Sequence, residues 1–253
     1  MTKEEAPIES GEVENLYDKL LDSSYPLLQQ FREVCPGTYK HAQAVMAMVE
    51  TISLALELDV LKMKVAALYH DIGKMFNPKL FTENQRENEN PHDDLDPEIS
   101  YQYITRHVSD TALILLADAN FPRELIEIAT QHHGTNVVKY FFVKSGSDDR
   151  DAYRYKSQQP SCVESAVLMI ADHVEATSRS ISQQDGVKLN PLEIIENTIN
   201  GLVDDGQLDS VYMRLGDLKK IKEALAKELE GIYQKRVDYG EAEKEGSDTS
   251  NQK

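Results

Sequence analysis

Apolar side chains recur every three to four residues along most of the chain, the spacing that gathers them on one face of an α-helix. Val13, Leu16, Tyr17, Leu20 and Leu21 make a first such stripe, and Leu27, Leu28, Phe31 and Val34 a second after Pro26, which Cys35-Pro36-Gly37 breaks. Thr38 is the expected cap of a third helix, whose stripe Val45, Met48, Val49, Ile52, Ala55 and Leu56 carries His41 one turn upstream. Asp59 opens a fourth with Leu61, Val65, Ala66, Leu68 and Tyr69; it runs into His70-Asp71, with Gly73 as the expected terminator. Residues 77–96 are polar and irregular, as functional or disordered loops are. Asp96-Pro97 provides a cap and a first-turn proline for a helix bearing Ile104, His107, Leu113, Leu115 and Leu116.

Phe121-Pro122 opens the next helix, whose inward positions Leu125, Ile128 and Ala129 continue into His132 and His133. An apolar segment, Val137 to Val143, and a second polar loop, Lys144 to Gln159, follow. Ser161 and Glu164 have capping-box spacing, so a helix is expected through Ala166, Leu168, Met169 and Ile170, with Asp172, Glu175, Ala176 and Arg179 along one face. Asn190-Pro191 caps a helix with Ile194, Ile195, Thr198, Ile199 and Leu202, and a last helix from about Asp217 carries Leu218, Ile221, Leu225, Leu229, Ile232 and Tyr233. No repeat and no convincing strand emerges. The expectation is an all-α single domain over residues 13–239, between disordered tails at 1–12 and 240–253.

Composition narrows the function. At 253 residues and 40% hydrophobic, the chain can build a full core. A net charge of -17 argues against holding long nucleic acid through its phosphates, so an anionic substrate would need bound cations. No apolar run approaches the roughly 18 residues that suggest a membrane span, and Met1-Thr2-Lys3-Glu4-Glu5 leads into no signal region. The expectation is a soluble, cytoplasmic protein without membrane insertion, its Cys35 and Cys162 reduced.

The inward polar residues are His41, His70, Asp71, His107, His132, His133 and Asp172, which include five of the chain's 7 histidines. Five imidazoles and two carboxylates exceed one tetrahedral zinc site. They suit two divalent transition metals sharing a bridging carboxylate, each completed by water.

The series Pro36-Gly37-Thr38-Tyr39-Lys40-His41, His70-Asp71-Ile72-Gly73-Lys74, Glu83-Asn84-Gln85, Asn90-Pro91-His92-Asp93, His107-Val108-Ser109-Asp110 and Gln131-His132-His133-Gly134-Thr135 resembles the cytoplasmic HD domain of seven-transmembrane-receptor-type HD phosphodiesterases. The likeness continues through Ala171-Asp172, Val174-Glu175-Ala176, Ser178-Arg179-Ser180, Asp205-Gly206-Gln207-Leu208-Asp209 and Gly231-Ile232-Tyr233. It implies an HD-type helical bundle with a dinuclear centre of iron or manganese in its core. By the same resemblance His41, His70 and Asp172 hold one ion, His107, His132 and His133 the other, and Asp71 bridges. The implied activity is hydrolysis of cyclic di-AMP to the linear 5'-phosphorylated dinucleotide, by a hydroxide held between the metals.

Catalytic roles are expected for His70, Asp71 and Lys74; Lys74 and Arg179 are candidate phosphate contacts, and Thr135 a further candidate substrate contact. Two other readings stand beside this one: an HD-type nucleotide phosphohydrolase acting on monoesters or triphosphates, and a non-catalytic module that binds a cyclic dinucleotide. Three departures from the family pattern stand out. Its membrane part has no counterpart in this sequence, from which signal input is expected to be lost or to come from a separate regulatory chain; a homodimer is also open. The loop Tyr155-Lys156-Ser157-Gln158-Gln159-Pro160 lacks the family's Gly-Pro step. His173 replaces a small residue and is expected to point away from the metals.

Overall fold

Proline decides where the early helices begin. In the computed structural model, which describes residues 10–86, 89–182 and 190–248, α2 (Pro26–Val34) and α3 (Pro36–Leu56) both start on a proline. At that position the missing N–H would have no intrahelical partner. Thr38 therefore lies inside the first turn of α3 and is not its cap. The amides of that turn are covered from afar, by Asn84 Oδ1 accepting from Gly37 N at 2.9 Å and Thr38 N at 3.1 Å. Upstream, α1 (Ser10–Leu21) reaches back into the stretch expected to be a tail, whose residues 1–9 lie outside the described residues. Next comes α4 (Val60–Tyr69), capped as expected by Asp59, whose side chain accepts from Lys62 N at 3.0 Å.

Between α4 and α5 (Pro97–Ala117) the described residues make four 3-10 turns, at Ile72–Phe76, Pro78–Leu80, Thr82–Asn84 and Pro91–Asp93. Then come α6 (Arg123–Thr130), α7 (Lys139–Ser145), a 3-10 turn at Asp151–Tyr153, α8 (Val163–Ser182), α9 (Pro191–Asp204) and α10 (Leu215–Asp248). Two expected caps act otherwise. Asp96 makes no side-chain cap, its carbonyl accepting from Ser100 N, and Ser161 N donates to Gln131 Oε1 while Glu164 takes Lys62 Nζ at 3.1 Å. Residues 240–248, expected in the second tail, continue α10, in keeping with the helix propensity of their Glu, Ala and Lys; residues 249–253 lie outside the described residues.

The middle of the bundle is α8, whose residues 165–172 are all buried. A helix covered on every side belongs to the interior, and α3, α4, α6 and α9 pack around this one. Val45, Met48, Val49 and Ile52 of α3 are buried in the common core, the inward face expected of them. On α5 only Leu115 of the three expected leucines is buried, because its inward face is His107, Val108, Thr111 and Leu115; Leu113 and Leu116 are exposed. The β pairing among the described residues is one isolated bridge, Val137 with Arg154, and no helix there is long and apolar enough to cross a membrane.

Gly73 does not terminate α4 by a left-handed turn; it sits within the Ile72–Phe76 turn, pressed against α5. A Cβ there would lie 2.1 Å from the His107 carbonyl oxygen and 2.4 Å from Thr111 N. Both neighbours are backbone, so neither can yield cheaply. Gly73→Ala is expected to destabilise the chain by about 1–3 kcal/mol, the usual penalty of overpacking, read as a lowered thermal midpoint.

Candidate metal centre

Three imidazoles are fixed by one repeated local bond. His70 Nδ1 meets the Ala67 carbonyl at 2.7 Å, His107 Nδ1 that of Ile104 at 2.5 Å, and His132 Nδ1 that of Ala129 at 2.6 Å. In each case the acceptor is the oxygen three residues upstream, so the proton belongs on Nδ1 and the Nε2 lone pair faces inward. All three lone pairs converge on Asp71. His70 Nε2 is 3.3 Å from Oδ2, while His107 and His132 Nε2 are 3.2 and 3.5 Å from Oδ1. His107 Nε2 and His132 Nε2 are themselves 3.4 Å apart. With the imidazoles neutral, acceptors thus face acceptors inside the protein, and His70 Nε2 and Asp71 Oδ1 have no hydrogen-bond partner. Leaving buried acceptors unpaired is costly, and a cation at their centre removes the cost. The donor set fits a divalent metal.

The opposite wall comes from α3 and α8. His41 Nε2 lies 3.0 Å from Asp172 Oδ1 and 3.5 Å from Asp71 Oδ2, and its Nδ1 is 2.5 Å from Glu175 Oε2. Arg179 Nε donates to the same Glu175 oxygen at 3.3 Å. Glu175 is a further candidate positioning residue, one to which helix periodicity alone assigns no role. Its signal was the spacing of three from Asp172 on one helix face, which lets the same helix supply a ligand and the carboxylate that orients the facing imidazole.

Donor atoms within 4.8 Å of one another form overlapping groups: Asp71, His107, His132 and His133; His41, His70 and Asp71; and His70, His132 and Asp172. All seven expected ligands are brought together, and Asp71 belongs to two groups. His132 and His133 are not on α6, which ends at Thr130, but in the turn after it. His133 Nδ1 is 3.8 Å from Asp172 Oδ2, its ring stacked on Tyr155 at 4.3 Å and 25°. A fourth group adds His173 to His133 and Asp172. Its Nδ1, 3.8 Å from Asp172 Oδ2, also meets the Met169 carbonyl at 2.9 Å, and its Nε2 meets Asn136 Nδ2 at 3.2 Å, so both nitrogens are engaged with other protein groups.

Titration follows the crowding. Burial opposes charge on His70, but Asp71 and Asp172 outweigh it and raise the pKa to about 10. Burial lowers His132 to about 4. Asp71 is pushed up by burial yet held well below the carboxylate range by Lys74 and His70, and Asp172 likewise by His41 and His70. A divalent ion binding here therefore competes with a proton on His70.

The three expected substrate contacts are engaged with protein groups. Lys74 Nζ lies 2.7 Å from Asp71 Oδ2 and 2.9 Å from Glu83 Oε1, buried and above the Phe81 ring. Arg179 serves Glu175. Thr135 N donates to Gln207 Oε1 at 2.9 Å, and its carbonyl accepts from Arg154 Nη1 at 2.8 Å.

Arg154 also grips Asp205 with two nitrogens at 2.9 and 3.0 Å, and Gln207 and Arg150 add further donors. Chiefly through Arg154, the Asp205 pKa falls to about 2. A depressed carboxylate stabilises the fold above its unfolded pKa near 4, and that contribution is lost as pH falls toward 2. Asp205→Asn is expected to lower the thermal midpoint at pH 6, with the gap from wild type closing between about pH 4 and pH 2.

The family profile described as HD domain matches residues 38–177, which span all seven expected ligands. The chain belongs to the HD domain family. Its sequence is 36% identical over 225 residues to the cyclic-di-AMP phosphodiesterase PgpH of Listeria monocytogenes, covering 87% of this chain and 31% of that protein. PgpH of Bacillus subtilis is 34% identical over 230 residues, covering 89% of this chain and 32% of that one. This chain spans about a third of the length of these curated relatives. The crystal structure of the L. monocytogenes PgpH HD domain superposes with a TM-score of 0.77 at 36% identity, over 83% of this chain and 100% of that one. The same HD domain solved in complex with cyclic-di-AMP gives a TM-score of 0.77 at 35% identity, over 84% and 100%.

Proposed function

We propose that this HD domain is a metal-dependent phosphodiesterase that opens a cyclic dinucleotide, cyclic di-AMP before others, to the linear dinucleotide. We further propose that it works in the cytoplasm with two iron or manganese ions, and that residues 13–239 form the catalytic unit. The observation that carries this reading is the inward turn of the Nε2 lone pairs of His70, His107 and His132 onto a single buried carboxylate, Asp71. Support also comes from the likeness to two phosphodiesterases and to an HD domain that binds cyclic-di-AMP.

His41, His70 and Asp172 would hold one ion and His107, His132 and His133 the other, with Asp71 shared between them. When bound, the two ions supply Lewis-acid charge for the phosphate and lower the pKa of water. The chain's own residues prepare that chemistry. The upstream carbonyls keep the protons of three imidazoles on Nδ1, and Glu175, steadied by Arg179, does the same for His41. Lys74 holds Asp71 Oδ2 and so fixes the plane of the bridging carboxylate.

The test is metal analysis of protein purified without chelator, followed by chromatography of products from cyclic di-AMP, cyclic di-GMP and a mixed cyclic dinucleotide. The expected result is two ions per chain and a linear 5'-phosphorylated dinucleotide. Release of inorganic phosphate or nucleosides from mononucleotides or triphosphates, with cyclic dinucleotides untouched, would make the chain a nucleotide phosphohydrolase. Binding without turnover would make it a receptor module.

A further inference from the structure

We propose that Gln207 is a positioning residue for His133, and that it thereby governs occupancy of the half of the centre formed by His107, His132 and His133. The inference rests on the dinuclear reading above. The other four imidazoles of the set have Nδ1 tied to a carbonyl or to Glu175. Among the described residues the His133 ring has no such hydrogen bond; it lies against Tyr155 and His132. Its aim is therefore set by the backbone that follows it.

That backbone is tightly held. Gly134 is left-handed, with φ +50, and a Cβ on it would lie 2.5 Å from Gln207 Oε1 and 2.8 Å from Met169 Cε, so the turn is moulded against Gln207. One residue on, Thr135 donates its N–H to Gln207 Oε1 at 2.9 Å, and its hydroxyl oxygen accepts from Gln207 Nε2 at 3.1 Å. Gln207 Nε2 also donates to Asp205 Oδ2 at 2.8 Å, and the Asp205 carboxylate receives Arg154. Arg154 in turn reaches the Thr135 carbonyl, and the next residue, Tyr155, stacks on His133. The amide of Gln207 is fully buried and engaged at both ends. The connection after α9 thus locks, from 72 residues away, the turn that presents the tandem histidines.

The test uses the full chain, purified free of metal, as wild type, Gln207→Ala and Gln207→Asn. Asparagine keeps the polarity but is one methylene too short to reach both Thr135 and Asp205. Manganese titration read by direct metal analysis and cobalt absorption spectra report the two sites separately from activity, and circular dichroism reports folding. The expected result is a first ion bound within about twofold of wild type, and a second weakened at least about tenfold, as the loss of a group that orients a ligand does. The cobalt spectrum should lose one ion's bands. If the alanine variant loses helicity, the asparagine variant carries the test. Two ions bound as in wild type, or equal weakening of both, overturns the role of Gln207 and leaves the dinuclear reading intact. A wild-type chain that takes up one ion or none overturns that reading, and the proposal with it.

Discussion

Asp71→Ala is expected to lower phosphodiester turnover by about 10³-fold or more and to remove both ions from the isolated protein. The Asp71 carboxylate lies within 3.5 Å of the Nε2 atoms of all four of His41, His70, His107 and His132, where the proposed bridge would sit. On the proposed dinuclear reading its loss would remove the negative charge shared by two cations, and with it the several kcal/mol of charge stabilisation they would supply, each 1.36 kcal/mol being about tenfold in rate. Asp71→Asn is the sharper variant, since it keeps the volume and one oxygen. It should retain the fold, bind metal poorly and turn over slowly. Wild-type-like hydrolysis with full metal content in either variant would exclude the bridging role.

Much of this candidate centre can be seen in the sequence because the residues that form it obey helix periodicity. His41 precedes Val45 by one turn, and Asp172 follows Leu168 by one turn, so the apolar stripes on α3 and α8 carry them inward. Likewise, His107 shares a face with Leu115, one of three leucines that the pattern could not tell apart by exposure. Long-range polar bonds have no such period. Nothing in the order of residues says that Asn84 covers the start of α3, that Gln131 takes Ser161 N, or that Gln207 holds Thr135. The same holds for Gly73, whose apparent place as a helix stop hides its use as a close approach to α5. Capping rules read only neighbours within one turn. In this fold several helix ends and turns are satisfied by side chains 30 to 72 residues distant.

Lys74→Met is expected to destabilise the metal-free chain by about 3–5 kcal/mol, the usual result of removing one partner from a buried ion pair. For a domain of this size that corresponds to a fall of roughly 10 °C in thermal midpoint. The ammonium sits between Asp71 Oδ2 and Glu83 Oε1, and Glu83 also accepts from Thr38 Oγ1 at 3.0 Å. Burial works against all three charges. The two carboxylates nevertheless raise the Lys74 pKa, and Lys74 brings that of Glu83 down to about 2, so the triad is ionised at neutral pH. Methionine fills the space of the stem but leaves two buried carboxylates facing each other. Metal loading compensates Asp71 and leaves only Glu83 unpaired, so saturating manganese should recover part of the loss. Adding Glu83→Gln to Lys74→Met should recover most of the remainder, with a coupling between the two sites that calorimetry of the four proteins can resolve. A lysine that served only to meet a phosphate predicts a different pattern: a raised KM, an unchanged thermal midpoint with or without metal, and no coupling to Glu83.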